Sequence, residues 1–251
     1  MAPHDGIAAL DRERAAATVD DRVAALNLRF AGSDAAAVIG AARDLFPGKV
    51  ALVSSFGAES VVLLHLVAQT CPDLPVIFLD TGKLFAETLA YRDELTARLG
   101  LMDVRTIQPD PARLAATDAF GALWMTDPDL CCRIRKTEPL QRALAGFSAW
   151  ITGRKRFQSS LRSRIALFER DGERIKVNPL AEWTTADLQA HVARYDLPEH
   201  PLRARGYPSI GCVPCTTKVA PGENQRAGRW RGRDKQECGI HTTLESDGSG
   251  I

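Results

Sequence analysis

The sequence predicts an α/β fold with a mainly parallel sheet and helices on both faces. Short β-branched apolar runs alternate with longer helical segments from residue 49 to about residue 195, which is typical of parallel sheets. Turns of small residues directly follow several of these runs. Past Pro198 the chain is rich in Pro, Gly and Arg and has no period. We therefore predict an α/β domain over residues 1–200 and an irregular C-terminal tail over residues 201–251.

Composition excludes several classes of protein. The 251 residues are 45% hydrophobic and 25% charged, as in soluble globular proteins, and a net charge of +1 argues against a nucleic-acid binder. No apolar run approaches the length of a membrane span, and the N-terminus lacks a secretory pattern. Six cysteines in such a chain indicate reduced thiols or metal ligands. We expect a cytoplasmic protein with no membrane or nucleic-acid partner.

The elements follow from periodicity and from turn residues. Strands are predicted at residues 49–56, 75–80, 103–109, 149–153 and 175–180. Helices are predicted at residues 19–30, 34–46, 61–69, 83–99 and 184 to about 195. Ser33 or Asp34 is the expected N-cap of the second helix, and Gly100 is placed to cap the fourth. The first 18 residues are predicted to be a frayed or helical lead-in, and residues 244–251 to be disordered.

Three loops are predicted to meet in one crevice. S-S-F-G, L-D-T-G and T-G-R-K-R-F-Q-S all follow predicted strands, and ligands of parallel sheets bind at the carboxyl ends of the strands. Ser54, Ser55, Gly57 and Ser60 stand where a strand turns into a helix, an arrangement that aims backbone N–H groups at an anion. The alternative is that these small residues only turn the chain. The loop lacks the G-K-[ST] ending of a Walker A sequence.

Two cysteine pairs stand out. Cys131 and Cys132 are adjacent, and Cys212 and Cys215 lie some eighty residues later in G-C-V-P-C. Adjacent thiols form a strained disulfide and are awkward, though not forbidden, as two ligands of one zinc ion. Four thiolates commonly hold iron–sulfur clusters. The rival interpretation is a binding module with structural zinc, in which Cys238 is incidental.

The ordered motifs carry a family resemblance. S-S-F-G-A-E-S, L-D-T-G, C-C-x-x-R-K, T-G-x-x-R-x-Q-S, G-C-x-x-C and E-C-G-I-H occur in the order seen in assimilatory adenylylsulfate reductases. That family, grouped with the phosphoadenylylsulfate reductases, has an adenine nucleotide α-hydrolase-like fold. The resemblance implies reduction of adenosine 5′-phosphosulfate to sulfite and AMP by a homo-oligomer. It also implies that the Cys238 thiolate attacks the sulfur and that thioredoxin or glutaredoxin releases sulfite.

The resemblance also implies roles residue by residue. It implies a [4Fe-4S] cluster held by Cys131, Cys132, Cys212 and Cys215, which stays in one redox state and acts by its charge. Lys136 is expected to couple the cluster to the substrate. The implied substrate-binding residues are Ser54, Ser55, Gly57, Leu79, Asp80, Thr81, Gly82, Lys136, Arg156, Arg162, Arg226 and Arg229.

Some positions leave alternatives open. Glu59 is either a substrate contact or a helix-start acid favoured by the dipole. The segment G-R-K-R-F-Q-S, which we call the arginine loop, departs from the family pattern at Lys155 and Phe157. The four cysteines favour unphosphorylated adenylylsulfate, while the extra basic residues leave room for a 3′-phosphate. An ATP pyrophosphatase of the same superfamily is the rival enzyme, but its S-G-G-x-D-S loop would place a glycine at Phe56.

The C-terminal tail carries further expectations. Trp230 is expected to pack the tail over the site, and Lys235 and nearby arginines to favour the Cys238 thiolate. His241 is expected to be a solvent-facing spacer. Because Cys238 must meet both the substrate and a reductant thiol, we expect the tail to be mobile.

Overall fold

The protein folds around a mainly parallel sheet, as predicted. The computed structural model describes residues 18–241, so the expectations for the lead-in and for residues 244–251 lie outside the described residues, apart from residue 18. Within the described part, six strands lie in the order β3-β2-β1-β4-β6-β5. They are β1 (Val50–Val53), β2 (Val76–Leu79), β3 (Val104–Ile107), β4 (Ala149–Ile151), β5 (Phe168–Asp171) and β6 (Arg174–Val177). All pairings are parallel except that of β5 with β6.

The helices connect these strands. They are α1 (Val19–Arg29), α2 (Ala35–Leu45), α3 (Ser60–Thr70), α4 (Ala86–Leu99), α5 (Pro111–Thr117), α6 (Leu123–Thr126), α7 (Pro128–Cys132), α8 (Glu138–Ala143) and α9 (Thr185–Arg194). Asp34 caps α2 through a hydrogen bond from the backbone N–H of Ala37, 2.7 Å long. Thr184 forms a capping box at α9, and Gly100 ends α4 with a φ of 64°. These caps confirm the predicted starts of α2 and α9 and the predicted end of α4.

The sheet buries apolar side chains on both faces. Alternate residues point to opposite faces of a strand. On one face Leu52, Phe78 and Ile151 join the larger core with α1 to α4. On the other face Ala51 and Trp150 pack with residues around α8 in a smaller core. Helices therefore cover both faces, which confirms the predicted fold class.

Two local predictions were incomplete. The edge strand β5 was not predicted, although its junction with β6 contains the hairpin signal Asp171-Gly172, and Gly172 has a φ of 60°. The helix predicted at residue 83 begins at Ala86. Lys83 instead belongs to a loop whose carbonyl accepts a hydrogen bond from the backbone of Val213 at 2.8 Å. That long-range contact has no signal in the local sequence.

The segment after α9 is irregular but packed. Within the described residues it contains a 3₁₀ turn, Val213–Cys215, and isolated bridges from Leu84 to Cys212 and from Thr216 to Arg229. A Cβ on Gly228 would lie 2.1 Å from the carbonyl oxygen of Thr217, so this close approach requires glycine. In residues 18–241 no helix has the length and apolar character needed to span a membrane.

The outer edge of β5 is closed by one side chain. The Asn27 amide of α1 donates to the carbonyl oxygen of Phe168 at 2.8 Å and accepts from the Phe168 N–H at 3.0 Å. Asn27 thereby pairs two backbone groups that a further strand would otherwise satisfy. The Phe168 side chain is fully buried, so these backbone groups lie beside the core.

We predict that Asn27→Ala lowers the free energy of unfolding by about 2 kcal/mol, because two partly buried backbone groups lose their partner. Urea unfolding followed by tryptophan fluorescence measures this. The matched control is Asp20→Asn, which breaks the exposed 2.9 Å ion pair between Asp20 and Arg170 of the same two elements. We expect about 0.5 kcal/mol or less for the control. Equal effects of the two substitutions would contradict the edge-closing role of Asn27.

Candidate functional site

A cavity lies at the carboxyl ends of β1, β2 and β4, and we call it the central cavity. Its walls come from the loops that follow these strands and from the C-terminal tail. The three loops predicted to meet therefore do meet. The predicted site residues that line it are Ser54, Ser55, Gly57, Leu79, Thr81, Lys136, Arg162, Arg226, Arg229 and Cys238.

The loop after β1 is held by its own hydroxyl groups. Ser54 Oγ accepts a hydrogen bond from the N–H of Phe56 at 3.2 Å, and Ser60 Oγ accepts from the N–H of Gly57 at 2.9 Å. Phe56 has a φ of 47°, in the left-handed region that disfavours a bulky residue. Its fully buried ring packs edge-on against Phe78, with centroids 5.4 Å apart. Core packing thus maintains the turn without a glycine at this position.

The loop after β2 divides its residues between the cavity and the scaffold. Leu79 and Thr81 line the central cavity, whereas Asp80 and Gly82 are not in its wall. The Asp80 carboxylate accepts from the N–H of Gly82 at 3.0 Å and from the side chain of Gln108 at 3.2 Å. Asp80 and Gly82 therefore shape the turn, and their contact with the substrate stays a prediction.

The arginine loop contributes different side chains from those predicted. Arg162 lines the cavity, but Arg156 points away and pairs with Glu182 at 2.9 Å. The predicted substrate contact of Arg156 stays a prediction: residues 156–158 form a 3₁₀ turn, and in this structure the Arg156 side chain lies outside the cavity wall. Arg154 and Lys155, which precede that turn, are buried and line the cavity instead.

Lys155 forms a polar floor with Glu59. Its ammonium lies 2.7 Å from Glu59 Oε2, and Gln158 donates to the same oxygen at 2.8 Å. Burial lowers the pKa of Lys155, and Glu59 opposes that effect. Glu59 precedes α3 without capping it through its side chain, and it lines the cavity. Glu59 therefore stands at the start of α3 and faces the cavity, so both alternatives, a substrate contact and a helix-start acid, stay open.

The tail arginines are arranged around Trp230. Arg229 lies over the Trp230 ring at 4.5 Å, donates to the carbonyl oxygen of Ile210 at 3.2 Å and has a buried Nε with no partner in residues 18–241. A Cβ on Gly211 would lie 2.2 Å from this guanidinium, so glycine makes room for it. Trp230 is buried and lines the cavity, as predicted. Burial lowers the pKa of Arg226 to about 10, and Glu237 opposes this effect.

Cys238 faces the central cavity, but two of its neighbours are not where we expected. His241 is packed rather than solvent-facing: its ring stacks on Trp150 with an interplanar angle of 2°, and burial lowers its pKa well below the usual range. Lys176 donates to the His241 carbonyl oxygen at 3.2 Å. Lys235 forms an ion pair with Asp129, which partly neutralises the positive charge that we expected to act on Cys238.

The four paired cysteines lie around a second, smaller cavity, which we call the cysteine cavity. It is lined by all four thiols together with Lys83, Trp124, Arg135 and Lys136. Cys131 and Cys132 end α7, which Asp127 caps, and a π-helical turn, Arg133–Thr137, follows directly. Such turns are rare in proteins, and those that occur often lie at functional sites. Tertiary folding therefore brings together the cysteine pairs that are distant in sequence.

The charge of Lys136 links the two cavities, because its side chain lines both. Burial alone would lower the pKa of Lys136, but electrostatic interaction with the neighbouring Cys212, Cys238 and Cys132 side chains raises it above its ordinary value. Burial would likewise raise the pKa of Cys212, but Lys136 and a 3.3 Å contact with the Thr81 hydroxyl lower it. Burial raises the pKa of Cys132 to about 12.

A buried ion pair connects the cysteine helix to the loop after β2. Arg135 lies 2.6 Å from Asp118 and donates to the carbonyl oxygen of Thr81 at 2.9 Å. Both charged side chains are less than 10% exposed. Asp118 also accepts from the N–H of Leu123 at 2.9 Å. This network fixes the position of the cysteine pair relative to the loop after β2. Nothing in the local sequence indicates that Asp118 is the partner of Arg135.

The donor set of the cysteine cavity fits an iron–sulfur cluster. Its ligands are all thiols, which are the common ligands of such clusters, and Arg135, Lys83 and Lys136 supply positive charge around a negatively charged group. Among the described residues, no three His, Cys, Asp or Glu side chains are arranged to share one metal ion.

Comparisons with known proteins agree with this geometry. Residues 49–218 match the family described as the phosphoadenosine phosphosulfate reductase domain. An adenosine 5′-phosphosulfate reductase from Mesorhizobium japonicum is 55% identical over 200 residues, which cover 80% of this chain and 79% of that protein. A phosphoadenosine 5′-phosphosulfate reductase from Gloeobacter violaceus is 42% identical over 210 residues, which cover 82% of this chain and 87% of that protein.

A solved structure shows the same fold. The crystal structure of phosphoadenylyl-sulfate reductase from Candida auris in a phosphate complex superposes with a TM-score of 0.69 and 25% sequence identity. The match covers 81% of this chain and 98% of that one. With its mainly parallel sheet and its cavity at the carboxyl ends of the strands, this chain belongs to the phosphoadenosine phosphosulfate reductase domain family.

Proposed function

We propose that the protein reduces adenosine 5′-phosphosulfate to sulfite and AMP. The observation that carries this proposal is that Cys238 shares one cavity with six basic side chains of the described residues: Lys136, Arg154, Lys155, Arg162, Arg226 and Arg229. A soft thiolate beside a cluster of cations suits nucleophilic attack on the sulfur of a phosphosulfate. The name of the Mesorhizobium japonicum relative supports the same substrate.

The first step transfers the sulfo group to the protein. The Cys238 thiolate forms a bond to the sulfur, the bond from sulfur to the bridging phosphate oxygen breaks, and AMP leaves with that electron pair. The product on the enzyme is an S-sulfocysteine. Arg226, Arg229 and Lys136 stabilise the charge that develops on the leaving phosphate.

The second step needs a dithiol reductant. One thiol attacks the Cys238 sulfur and releases sulfite, and the second thiol then restores Cys238 and closes a disulfide in the reductant. Thioredoxin or glutaredoxin is the proposed reductant. Cys238 is partly exposed in the described structure, which supports access by a protein thiol.

A cluster, when bound, would supply a fixed charge near the reacting groups and no electrons to the substrate. Cys131, Cys132, Cys212 and Cys215 would hold it. Lys136 lines both cavities, so its ammonium group would interact with both the cluster and the substrate. Because Arg135 ties the cysteine helix to the Thr81 carbonyl oxygen, a bound cluster would also rigidify the substrate loop.

We propose that adenylylsulfate without a 3′-phosphate is the preferred substrate. In the described chain two carboxylates line the central cavity, Glu59 and Glu237, and each already pairs with one of its cations. Fewer cations are therefore left for an additional phosphate. Use of the 3′-phosphorylated form is the second candidate, which is favoured by the likeness to the Gloeobacter violaceus relative. Sulfite release from each substrate with thioredoxin, on anaerobically purified protein, discriminates the two.

We predict that Cys238→Ser abolishes sulfite release, with activity falling by at least about 1,000-fold, because the hydroxyl is a far weaker nucleophile at neutral pH. The matched control is Cys71→Ser, which changes a buried thiol at the C-terminal end of α3. The control should keep its rate even if it loses stability. Full activity of Cys238→Ser would remove the proposed nucleophile, and inactivity of wild-type protein with either substrate would remove the reductase proposal.

We predict that Cys215→Ser loses most of the bound iron and the brown colour of the purified protein, because one of four ligands is removed. Iron content and visible absorbance measure this change. Cys71→Ser is again the control and should retain both. A colourless wild-type protein that contains zinc would contradict the cluster and support the structural zinc module.

We predict that Arg229→Gln lowers kcat/KM by about 100-fold, the loss typical of removing one preorganised charge-stabilising donor. The control is Arg231→Gln, since Arg231 lies two residues away in the same tail but pairs with Glu223 at 2.8 Å outside the central cavity. Steady-state kinetics of the two variants measure the difference. Similar losses in both would show that the effect comes from tail folding and not from contact with the substrate.

A further inference from the structure

The central cavity contains an anion that belongs to the protein. Glu237 directly precedes Cys238, and its carboxylate receives two hydrogen bonds from Arg162, at 2.7 and 2.8 Å. Arg226 lies 3.4 Å from the same carboxylate and donates to the carbonyl oxygen of Gln236 at 2.8 Å. The Glu237 side chain is only 16% exposed.

These contacts use the groups that a substrate anion needs. Arg162 donates through Nε and one Nη to Glu237 and through its other Nη to Gln158, so each of its three nitrogen atoms already donates a hydrogen bond within the protein. Arg226 directs its Nη2 toward the tail itself. Arg229, by contrast, has an unused buried Nε. Two of the cations assigned to the phosphosulfate are therefore already neutralised inside the chain.

We infer that Glu237 occupies part of the anion subsite of the resting enzyme and is exchanged for the phosphosulfate group when the substrate binds. The inference rests on the proposed function. A carboxylate and a phosphosulfate cannot share the same guanidinium groups in a partly desolvated cavity without strong repulsion. Binding of the substrate anion therefore displaces the carboxylate, and its neighbour Cys238 moves with it.

The exchange couples substrate binding to the position of the nucleophile. While Glu237 holds Arg162, residue 238 is docked at the cavity wall and the tail is closed. Once the substrate takes the arginines, the same residues of the tail are free to approach the sulfur and later to present the S-sulfocysteine to a dithiol. Burial alone would raise the pKa of Glu237, but Arg162 and Arg226 hold it below its ordinary range, so the residue is an anion at neutral pH.

Binding measurements test this inference directly. In a Cys238→Ser background, which prevents turnover, we compare Glu237→Gln and Glu237→Ala with Glu223→Gln. Glu223 is the matched control because it pairs with Arg231 in the same tail but does not line the cavity. Equilibrium dialysis gives the affinity for adenylylsulfate and, as a ligand without the anion, for adenosine.

We expect both Glu237 variants to bind adenylylsulfate about tenfold more tightly, because a competing charge-assisted interaction is removed. Affinity for adenosine should change by less than about twofold in the same variants. The Glu223→Gln protein should match its parent with both ligands. Hydrogen exchange of residues 233–241 should be faster in the ligand-free Glu237 variants than in the parent or the control.

Unchanged or weaker binding of adenylylsulfate by the Glu237 variants would overturn the inference and leave the proposed function intact if wild-type protein still releases sulfite. Equal gains for adenosine and adenylylsulfate would also overturn it, since the effect would then not concern the anion. Failure of wild-type protein to release sulfite from either substrate would instead overturn the proposed function, and with it the inference.

Discussion

Positive charge collected at one edge of the sheet is the constraint on which the rest of this structure depends. Arg154 and Lys155 are buried at the carboxyl end of β4, and Arg162 and Arg226 are mostly buried nearby. Cations removed from water need anionic partners. In the described chain those partners are carboxylates from other elements: Lys155 pairs with Glu59, Arg154 with Glu169, and Arg162 with Glu237. The pairs hold the walls of the cavity in place.

The cysteine cavity extends the same electrostatic arrangement. Lys136 reaches both cavities from the π-helical turn that follows Cys132. The extra residue of a π turn changes the direction in which the following side chains point, compared with a regular helix. Arg135 in that turn contacts the loop after β2 through the Thr81 carbonyl oxygen. The loop after β2 is thus joined to the cysteine helix through Arg135 and to Cys212 through the Thr81 hydroxyl.

Local sequence predicted the parts whose signals are themselves local. The strands β1 and β2, the caps at Asp34, Thr184 and Gly100, and the loops of small residues were found because periodicity and capping act within a few residues. The sequence could not show that Arg154 and Lys155, and not Arg156, line the cavity, because the 3₁₀ turn at residues 156–158 sets which side chains of this short loop face inward. His241 was placed in solvent because nothing near it in sequence reveals Trp150 and Lys176, with which it packs.

By itself, the sequence determined the fold class and the family, because each depends on residue types in a fixed order: the cysteine pairs, the glycine and serine turns and the basic tail. Only the tertiary structure decided which charges are paired. In the sequence Glu237 is simply the first residue of the E-C-G-I-H motif. Only the structure shows that Arg162, 75 positions away, donates a hydrogen bond to its carboxylate. Electrostatic energy depends on distance in space and on exclusion of water. Neither quantity can be obtained from spacing along the chain.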